Sequence, residues 1–352
     1  MQIRENQINP ILRFLGKPYR YAILFSLLLT SAFVYILLDA FVIPRAIQPV
    51  TPGETFVLGP VPLAGEEPGE ADAGSPEASQ PAPLPAETPI PEILAEESPA
   101  PLPAESPPQT DPQITELSYK DAYIEISIET IRAYETDIYL ADVKLSSAEY
   151  MKSAFAQTTY GRNINEKTSV IADRQNAIFA VNGDCYGFRR SGWVLRNGVL
   201  YRSGESDTAL LMGVDGSFSC DSDKALIEQF LPDLWQIWSF GPPLVVDGIV
   251  SVSENEEITG RSSNSNPRTA IGQAGDLHYI FLVSDGRTSA SAGLSLYELA
   301  TLLAERDCKI AYNLDGGGSS AMVFNGRVLN KPTTDGRRIG EREVSDIVYI
   351  GY

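Results

Sequence analysis

The sequence predicts an α+β fold: a single domain over residues 114–352 with a mixed, largely antiparallel sheet flanked by a few helices. One transmembrane helix and a disordered linker precede it. Three observations carry this prediction. Strand-like alternation broken by turn signals recurs through the C-terminal two thirds, with few helical stretches among it. The run from Tyr21 to Leu38 holds no charged residue. Residues 46–112 contain seventeen of the chain's 25 prolines and neither lysine nor arginine.

The apolar run resumes after Asp39 and reaches Ile43. At about 1.5 Å per residue, a helix over 21–38 covers roughly 27 Å and one over 21–43 roughly 35 Å, the thickness of a bilayer core. Arg13, Lys17 and Arg20 precede it, and only Arg45 follows before the acidic stretch. The positive-inside rule then puts a basic N-terminus, 1–20, in the cytoplasm and everything after Arg45 outside the cell. The expectation is a single-pass signal-anchor in the cell membrane, 21–43. A cleaved signal peptide would want a shorter apolar stretch and a small-x-small site, and Leu38-Asp39-Ala40-Phe41 is a poor one.

Residues 46–112 carry twelve acids, and Phe56 is their one aromatic residue. The near-repeats Pro83–Glu87 and Pro101–Glu105 point to duplication of a spacer. Such a segment buries too little apolar surface to offset its ordering entropy, and proline with like charge keeps it extended. The linker over 44–113 is thus expected to be disordered, a stalk that carries the domain off the membrane.

Within the domain, alternation over 123–128 and 137–143 reads as two strands, and a short helix over 167–175 leads into the buried run 177–181. Residues 192–196 and 199–202 flank Asn197-Gly198, a hairpin signal because both turn positions take positive φ. Asp215-Gly216 and Asp247-Gly248 read as hairpin turns too. Further strands are expected over 209–214, 243–246, 269–273, 277–284 and 309–314, with a closing strand over 343–352. Leu296, Leu299, Leu302 and Leu303 make one face of an amphipathic helix over 295–306.

Composition excludes several functions. The net charge of −19, with no basic tract beyond the N-terminal region, argues against a nucleic-acid partner. Three cysteines and one histidine exclude a disulfide framework, a zinc finger and a His-rich metal centre. No cofactor or metal is expected. His278 lies in an apolar strand and reads as structural, Cys308 as buried, and Trp193, Trp235 and Trp238 as core. Cys185 adjoins a candidate site as a possible thiol.

The segment Asn313-Leu314-Asp315-Gly316-Gly317-Gly318-Ser319-Ser320 is the most unusual in the chain. It follows a buried strand, and its glycines would let backbone amides approach an anion; a plain chain reversal is the simpler reading. No Gly-Lys-Ser/Thr follows, so it is not a P-loop. Other strand ends have a similar character: Asn182-Gly183-Asp184, Asp285-Gly286-Arg287, and Arg268 at a strand entry. Singly each fits an ordinary strand-end turn. Together, Asn, Asp and Arg at several strand ends suit a cleft for sugar and phosphate.

These motifs, with 240–245, 266–272 and 342–346 in the same order, resemble the phosphodiester glycosidase family over roughly 120–352. The resemblance implies hydrolysis of an α-glycosyl phosphodiester at the anomeric carbon. It carries over Asn182, Asp184, Arg268, Asp285, Asp315, Gly316, Gly317, Gly318, Ser319 and Arg342. The sequence departs from the family in having Cys185 where many relatives have an aromatic residue. In the expected division of labour, Arg268 and the Gly316–Gly318 amides hold the phosphate, and Arg287, Ser319 and Arg342 count among the substrate-binding residues. Asp315 or Asp285 stabilises oxocarbenium character or activates water, and Asn182 and Asp184 hold sugar hydroxyls. The partner is then a glycosyl-phosphate-containing glycan, an envelope polymer or exopolysaccharide. A non-catalytic glycan-phosphate-binding protein is the alternative.

Overall fold

The structure, a computed structural model, describes residues 18–48, 111–205, 208–254 and 265–352. Arg13, Lys17 and most of the expected linker lie outside the described residues.

The apolar run forms the helix Pro18–Phe41. Its stretch Tyr19–Asp39 has a mean hydropathy of 2.2, and none of it is buried among the described residues. Residues 44–48, expected within the linker, instead lie against the domain: Arg45–Ala46 pairs antiparallel with Gly161–Arg162.

The domain contains three principal sheets where one was expected. The largest has nine strands in the order Ile249–Val250, Pro243–Val246, Ile310–Asn313, Thr269–Gly275, His278–Ser284, Thr136–Leu145, Ile124–Ala133, Ser118–Lys120 and Gln113–Ile114. A second runs Arg327–Val328, Met322–Phe324, Phe179–Asn182, Asp346–Ile350, Met151–Phe155. The third runs Val199–Arg202, Val194–Arg196, Leu234–Trp238, Ala209–Gly213, Phe218–Asp221. Every described strand pairing is antiparallel, so the expectation of a mixed sheet gives way to antiparallel sheets with helices. Strands over Met151–Phe155, Leu234–Trp238 and Met322–Phe324 were not foreseen. They are short and mostly buried, Met322–Phe324 on both faces, so they show no clear period-2 alternation.

The alternation in the long strands sorts two cores. Tyr139, Ala141 and Val143, with Tyr279, Phe281 and Val283, face a core shared with both five-stranded sheets through Phe179, Val181, Leu210, Trp238 and Val348. Ile138 and Leu140, with Ile280 and Leu282, face the opposite side, where the helix Leu296–Ala304 lays down Leu296, Leu299, Leu302 and Leu303. Burying each such side chain contributes about 1.5–3 kcal/mol. Ser295 starts this helix with a capping box: its Oγ accepts from the Glu298 amide at 3.1 Å, and the Glu298 carboxylate accepts from the Ser295 amide at 2.8 Å. The helices Thr168–Arg174 and Lys224–Phe230 cover the outer faces of the second and third sheets. The Asn197-Gly198 turn has φ of +51° and +76°, as its hairpin requires.

Candidate active site

The site forms where strand ends from two sheets share an edge. Thr269 opens its strand opposite Val283, and Ala270 pairs with Asn313, so the entry of one strand and the exits of two others coincide. The strand Phe179–Asn182 of the second sheet ends beside them. Fully buried Asn182 joins the two sheets. Its Oδ1 accepts from Thr269 Oγ1 at 2.8 Å and from the Ala321 amide at 3.3 Å, and its Nδ2 donates to the Asp315 carbonyl at 2.6 Å. With both ends of its amide engaged and no exposure, Asn182 ties the Asp315 main chain to the neighbouring sheet.

Asp315 is set by its main chain as well, since its amide donates to the Gly183 carbonyl at 3.2 Å. Oδ1 accepts from the adjacent Gly316 amide at 2.9 Å, and Oδ2 lies 3.0 Å from Arg342 Nη2. The Arg342 guanidinium also donates to Ser319 Oγ at 3.0 Å from Nε and 2.6 Å from Nη2, and to the Gly316 carbonyl at 3.2 Å. Its side chain is 42% exposed and that of Asp315 14%, so this ion pair is partly open to solvent.

Two of the three glycine amides are engaged within the protein. The Gly316 amide is taken by the Asp315 carboxylate, and the Gly317 amide donates to the Pro267 carbonyl at 2.8 Å. Those two amides are not free to cradle an anion. The close approaches are to the protein itself. A Cβ on Gly316 would lie 2.9 Å from the Pro267 carbonyl oxygen, one on Gly317 2.8 Å from Arg287 Nη2, and one on Gly318 2.4 Å from Thr334 Oγ1. Gly317 also has φ of +64°. The loop therefore lets two arginines crowd against it.

Arg287 donates from Nε and Nη2 to Asn266 Oδ1, both at 3.1 Å, and from Nη1 to the Thr334 carbonyl at 2.6 Å. Arg268 runs beneath Gly316, with Nε donating to the Leu294 carbonyl at 2.9 Å and only 6% of the residue exposed. Burial, then the neighbouring Arg287, push the Arg268 guanidinium down to about 10, which leaves it charged at neutral pH. Arg268, Arg287 and Arg342 thus surround Gly316–Ser319.

Asp285 does not join them. It is 3% exposed, and its Oδ1 accepts from the Lys331 amide at 2.7 Å and from Asn330 Nδ2 at 3.4 Å. Burial raises its carboxyl above the usual range. It fastens the 330–331 segment to the strand end. Asp184 is also withdrawn from the cleft. It is 1% exposed, one oxygen accepts from the Ser239 amide at 2.8 Å, and the other lies 2.9 Å from Arg196 Nη2. Arg196 Nη2 lies 2.9 Å from Asp346 Oδ2 as well, so one buried guanidinium serves two buried carboxylates. These two Nη2 contacts are ion pairs without hydrogen-bond geometry, whereas Nε donates to Asp346 Oδ2 at 3.0 Å.

Of this trio only Asp184 was expected at the site from sequence; Arg196, Asp346, Thr269 and Thr334 were not. Arg196 had a legible signal: a charge at an inward position of an otherwise apolar strand, Val194-Leu195-Arg196. Nothing in sequence marks Thr334, whose role lies in backbone contacts. Cys185 sits beside the site with φ of +63°; burial, then Asp315, pushes its thiol far up, which opposes a reactive thiolate. His278 pairs with Asp142 at 3.0 Å on the far strand edge. Trp193 and Trp238 are wholly buried, and Trp235 donates to the Met151 carbonyl at 2.8 Å. Among the described residues no group of three or more His, Cys, Asp or Glu side chains could hold a metal ion.

Comparison with known proteins adds to this geometry. The sequence profile described as "Phosphodiester glycosidase" matches residues 175–351. A Bacillus subtilis (strain 168) SPbeta prophage-derived uncharacterized protein, YomE, is 28% identical over 227 residues, 59% of this chain and 33% of that protein. Mouse N-acetylglucosamine-1-phosphodiester alpha-N-acetylglucosaminidase is 32% identical over 121 residues, 30% of this chain and 23% of the mouse enzyme. These matches span a third or less of the relatives' own length. In fold, the chain is similar to the catalytic domain of the zebrafish enzyme of that name, solved in a form auto-inhibited by its pro-peptide. The TM-score is 0.54 at 20% identity, covering 65% of this chain and 83% of that one.

Proposed function

The chain belongs to the phosphodiester glycosidase family, and from that premise we propose that it hydrolyses the anomeric C–O bond of an α-glycosyl phosphodiester. The observation that carries this reading is the convergence of Arg268, Arg287 and Arg342 on the loop that presents Asp315. A phosphodiester brings an anion to that loop, and guanidinium forks match its oxygens.

In the proposed reaction, water adds to the anomeric carbon while the bond to the phosphate oxygen breaks. The leaving phosphate monoester takes the electron pair, and the arginines offset the charge that develops on it. Phosphate is already a good leaving group, so little acid assistance is needed. Asp315 faces the anomeric carbon, where it offsets oxocarbenium charge or takes the proton of the attacking water. Arg342 releases part of its hold on Asp315 Oδ2 as phosphate arrives. Asn182 keeps the Asp315 main chain in place throughout.

Location follows from the N-terminal helix. A helix of this length and hydropathy, unburied among the described residues, suits a bilayer, with 1–20 in the cytoplasm and the domain outside. The substrate is then a glycosyl-phosphate unit of an envelope polymer or exopolysaccharide.

The test supplies the full chain, in neutral detergent, with an α-sugar 1-phosphodiester bearing a chromogenic aglycone, beside the Asp315→Asn variant. The expected result is free reducing sugar from the wild type and none from the variant. Release of sugar 1-phosphate would mean cleavage on the phosphorus side and would sink the mechanism. Binding without turnover across several sugars would instead support a non-catalytic glycan-phosphate-binding protein.

A further inference from the structure

The segment just past the apolar helix anneals to the domain and closes one side of a second cavity. Beyond the Arg45–Ala46 pairing, the Ile47 amide donates to the Tyr160 carbonyl at 2.9 Å, and Asn163 Nδ2 donates to the Ile43 carbonyl at 3.0 Å. Gly161 permits the approach, since a Cβ there would lie 2.0 Å from the Arg45 carbonyl oxygen. Ile47 thereby walls a cavity of about 150 Å³ lined also by Tyr160, Tyr186, Arg162, Arg189, Arg190 and Arg202. Tyr160 and Tyr186 stack at 5.0 Å between ring centres.

The charge in this cavity is one-sided. Its lining contains four arginines and no carboxylate, in a chain whose net charge is −19. Arg189 donates to the carbonyls of Ser239 and Phe240 and lies 4.3 Å from the centre of the Phe240 ring. Arg202 donates to the carbonyls of Gly192, Tyr186 and Arg189. These partners are neutral; they orient the two guanidiniums without cancelling their charge. Among the described residues Arg162 and Arg190 have no side-chain hydrogen bond or ion pair. Burial pushes the Arg202 guanidinium down, a sign that its charge is only partly compensated there. Gathering four like charges in a partly enclosed space costs free energy that an anion would recover.

We propose that this pocket, whose lining includes neither Asp315 nor Arg342, holds a phosphate group, as a mono- or diester. Tetrahedral phosphate oxygens suit several guanidinium forks converging from different directions, two of them fixed by main-chain carbonyls and two free to close. The phosphate belongs either to a lipid headgroup, because the wall at Ile47 lies six positions beyond the end of the apolar helix at Phe41, or to a glycosyl phosphate reaching across Tyr186. The proposal concerns binding alone and does not rest on the hydrolase reading.

The test measures thermal unfolding of the full chain in neutral detergent against inorganic phosphate, with chloride at equal ionic strength as the control. Wild type should show a saturable phosphate-dependent rise in Tm. Arg342→Gln, which removes one of the phosphate contacts proposed at the Asp315 loop, should still show a saturable rise, and adding Arg162→Gln/Arg190→Gln to it should weaken the apparent affinity of that remaining rise about tenfold or more. The proposal is overturned if phosphate has no effect beyond chloride, if the triple variant responds like Arg342→Gln, or if Arg342→Gln alone abolishes the response. Glycerol 3-phosphate and glucose 1-phosphate are then compared as competitors. Stronger competition by one supports the site and names its source, and failure of both to compete overturns it.

Discussion

Asn182 and Asp315, 133 positions apart, are joined by a 2.6 Å hydrogen bond from the Asn182 side chain to the Asp315 carbonyl. The bond crosses from the five-stranded sheet that ends at Asn182 to the nine-stranded sheet whose strand ends at Asn313. It makes the placement of the candidate catalytic carboxylate a property of how the two sheets pack, and not of the glycine loop alone.

Asn182→Ala should therefore separate stability from chemistry only partly. It strands the Thr269 hydroxyl and the Ala321 amide in the core, at about 1–3 kcal/mol for each buried group left unsatisfied. It also frees the Asp315 main chain, and a shift on the order of 1 Å costs about 10²-fold in kcat. Urea unfolding and steady-state kinetics on one preparation check both. A fall in kcat without loss of stability would show that the bond does not tie the sheets together.

Asp315→Asn makes the opposite separation. The amide oxygen can still accept from the Gly316 amide or face Arg342, so unfolding should change by about 1 kcal/mol or less. Turnover should fall by about 10³-fold or more with KM nearly unchanged, because the lost charge acts in the transition state. A variant that keeps a tenth of wild-type kcat would remove Asp315 from the reaction.

Two glycines distinguish close approach from backbone conformation. Gly318→Ala drives a methyl to 2.4 Å from Thr334 Oγ1 and 3.1 Å from Thr334 Cα, and overpacking of that kind costs about 1–3 kcal/mol. Gly326 has φ of +74° with nothing within 4 Å of a Cβ, so Gly326→Ala should cost only the left-handed penalty, about 1–2 kcal/mol. Activity should fall in the first variant alone, since Thr334 also anchors Arg287 through its carbonyl. Equal activity in both would disconnect the loop packing from the arginines.

Much of the fold was legible because its signals are local. The 3.6-residue spacing of Leu296, Leu299 and Leu303, and the Asn197-Gly198 turn, each fix their own geometry within a few residues. The three-residue strand Met322–Phe324 was not legible, because a strand buried on both faces gives up the alternation that would announce it. The site divides along the same line. Sequence named Asp315, Arg342 and the arginines at strand ends as candidates, and they lie around one loop. It could not tell that Asp184, Asp285 and Asn182 spend their polar atoms inside the protein, since that depends on partners such as Arg196, Lys331 and Thr269 that are distant along the chain.

The buried trio of Asp184, Arg196 and Asp346 makes the last prediction, a dependence of stability on pH. Two carboxylates share one guanidinium with no exposure, and Asp346 Oδ1 has no hydrogen-bond partner. Burial, opposed by Arg196, raises the Asp346 carboxyl to about 7. Folding therefore takes up a proton between the unfolded value of 3.8 and about 7. The associated stability is fully present below about pH 4 and is lost as pH rises through about 7. In Asp346→Asn the side chain stands in for the neutral acid, so this slope should vanish. Wild type should lose on the order of 1–3 kcal/mol relative to that variant between about pH 5 and pH 8. Arg196→Met leaves two buried carboxylates uncompensated and should cost about 3–5 kcal/mol at neutral pH. Urea unfolding of the three proteins across that pH range checks the set, and parallel slopes for wild type and Asp346→Asn would place the titrating group elsewhere.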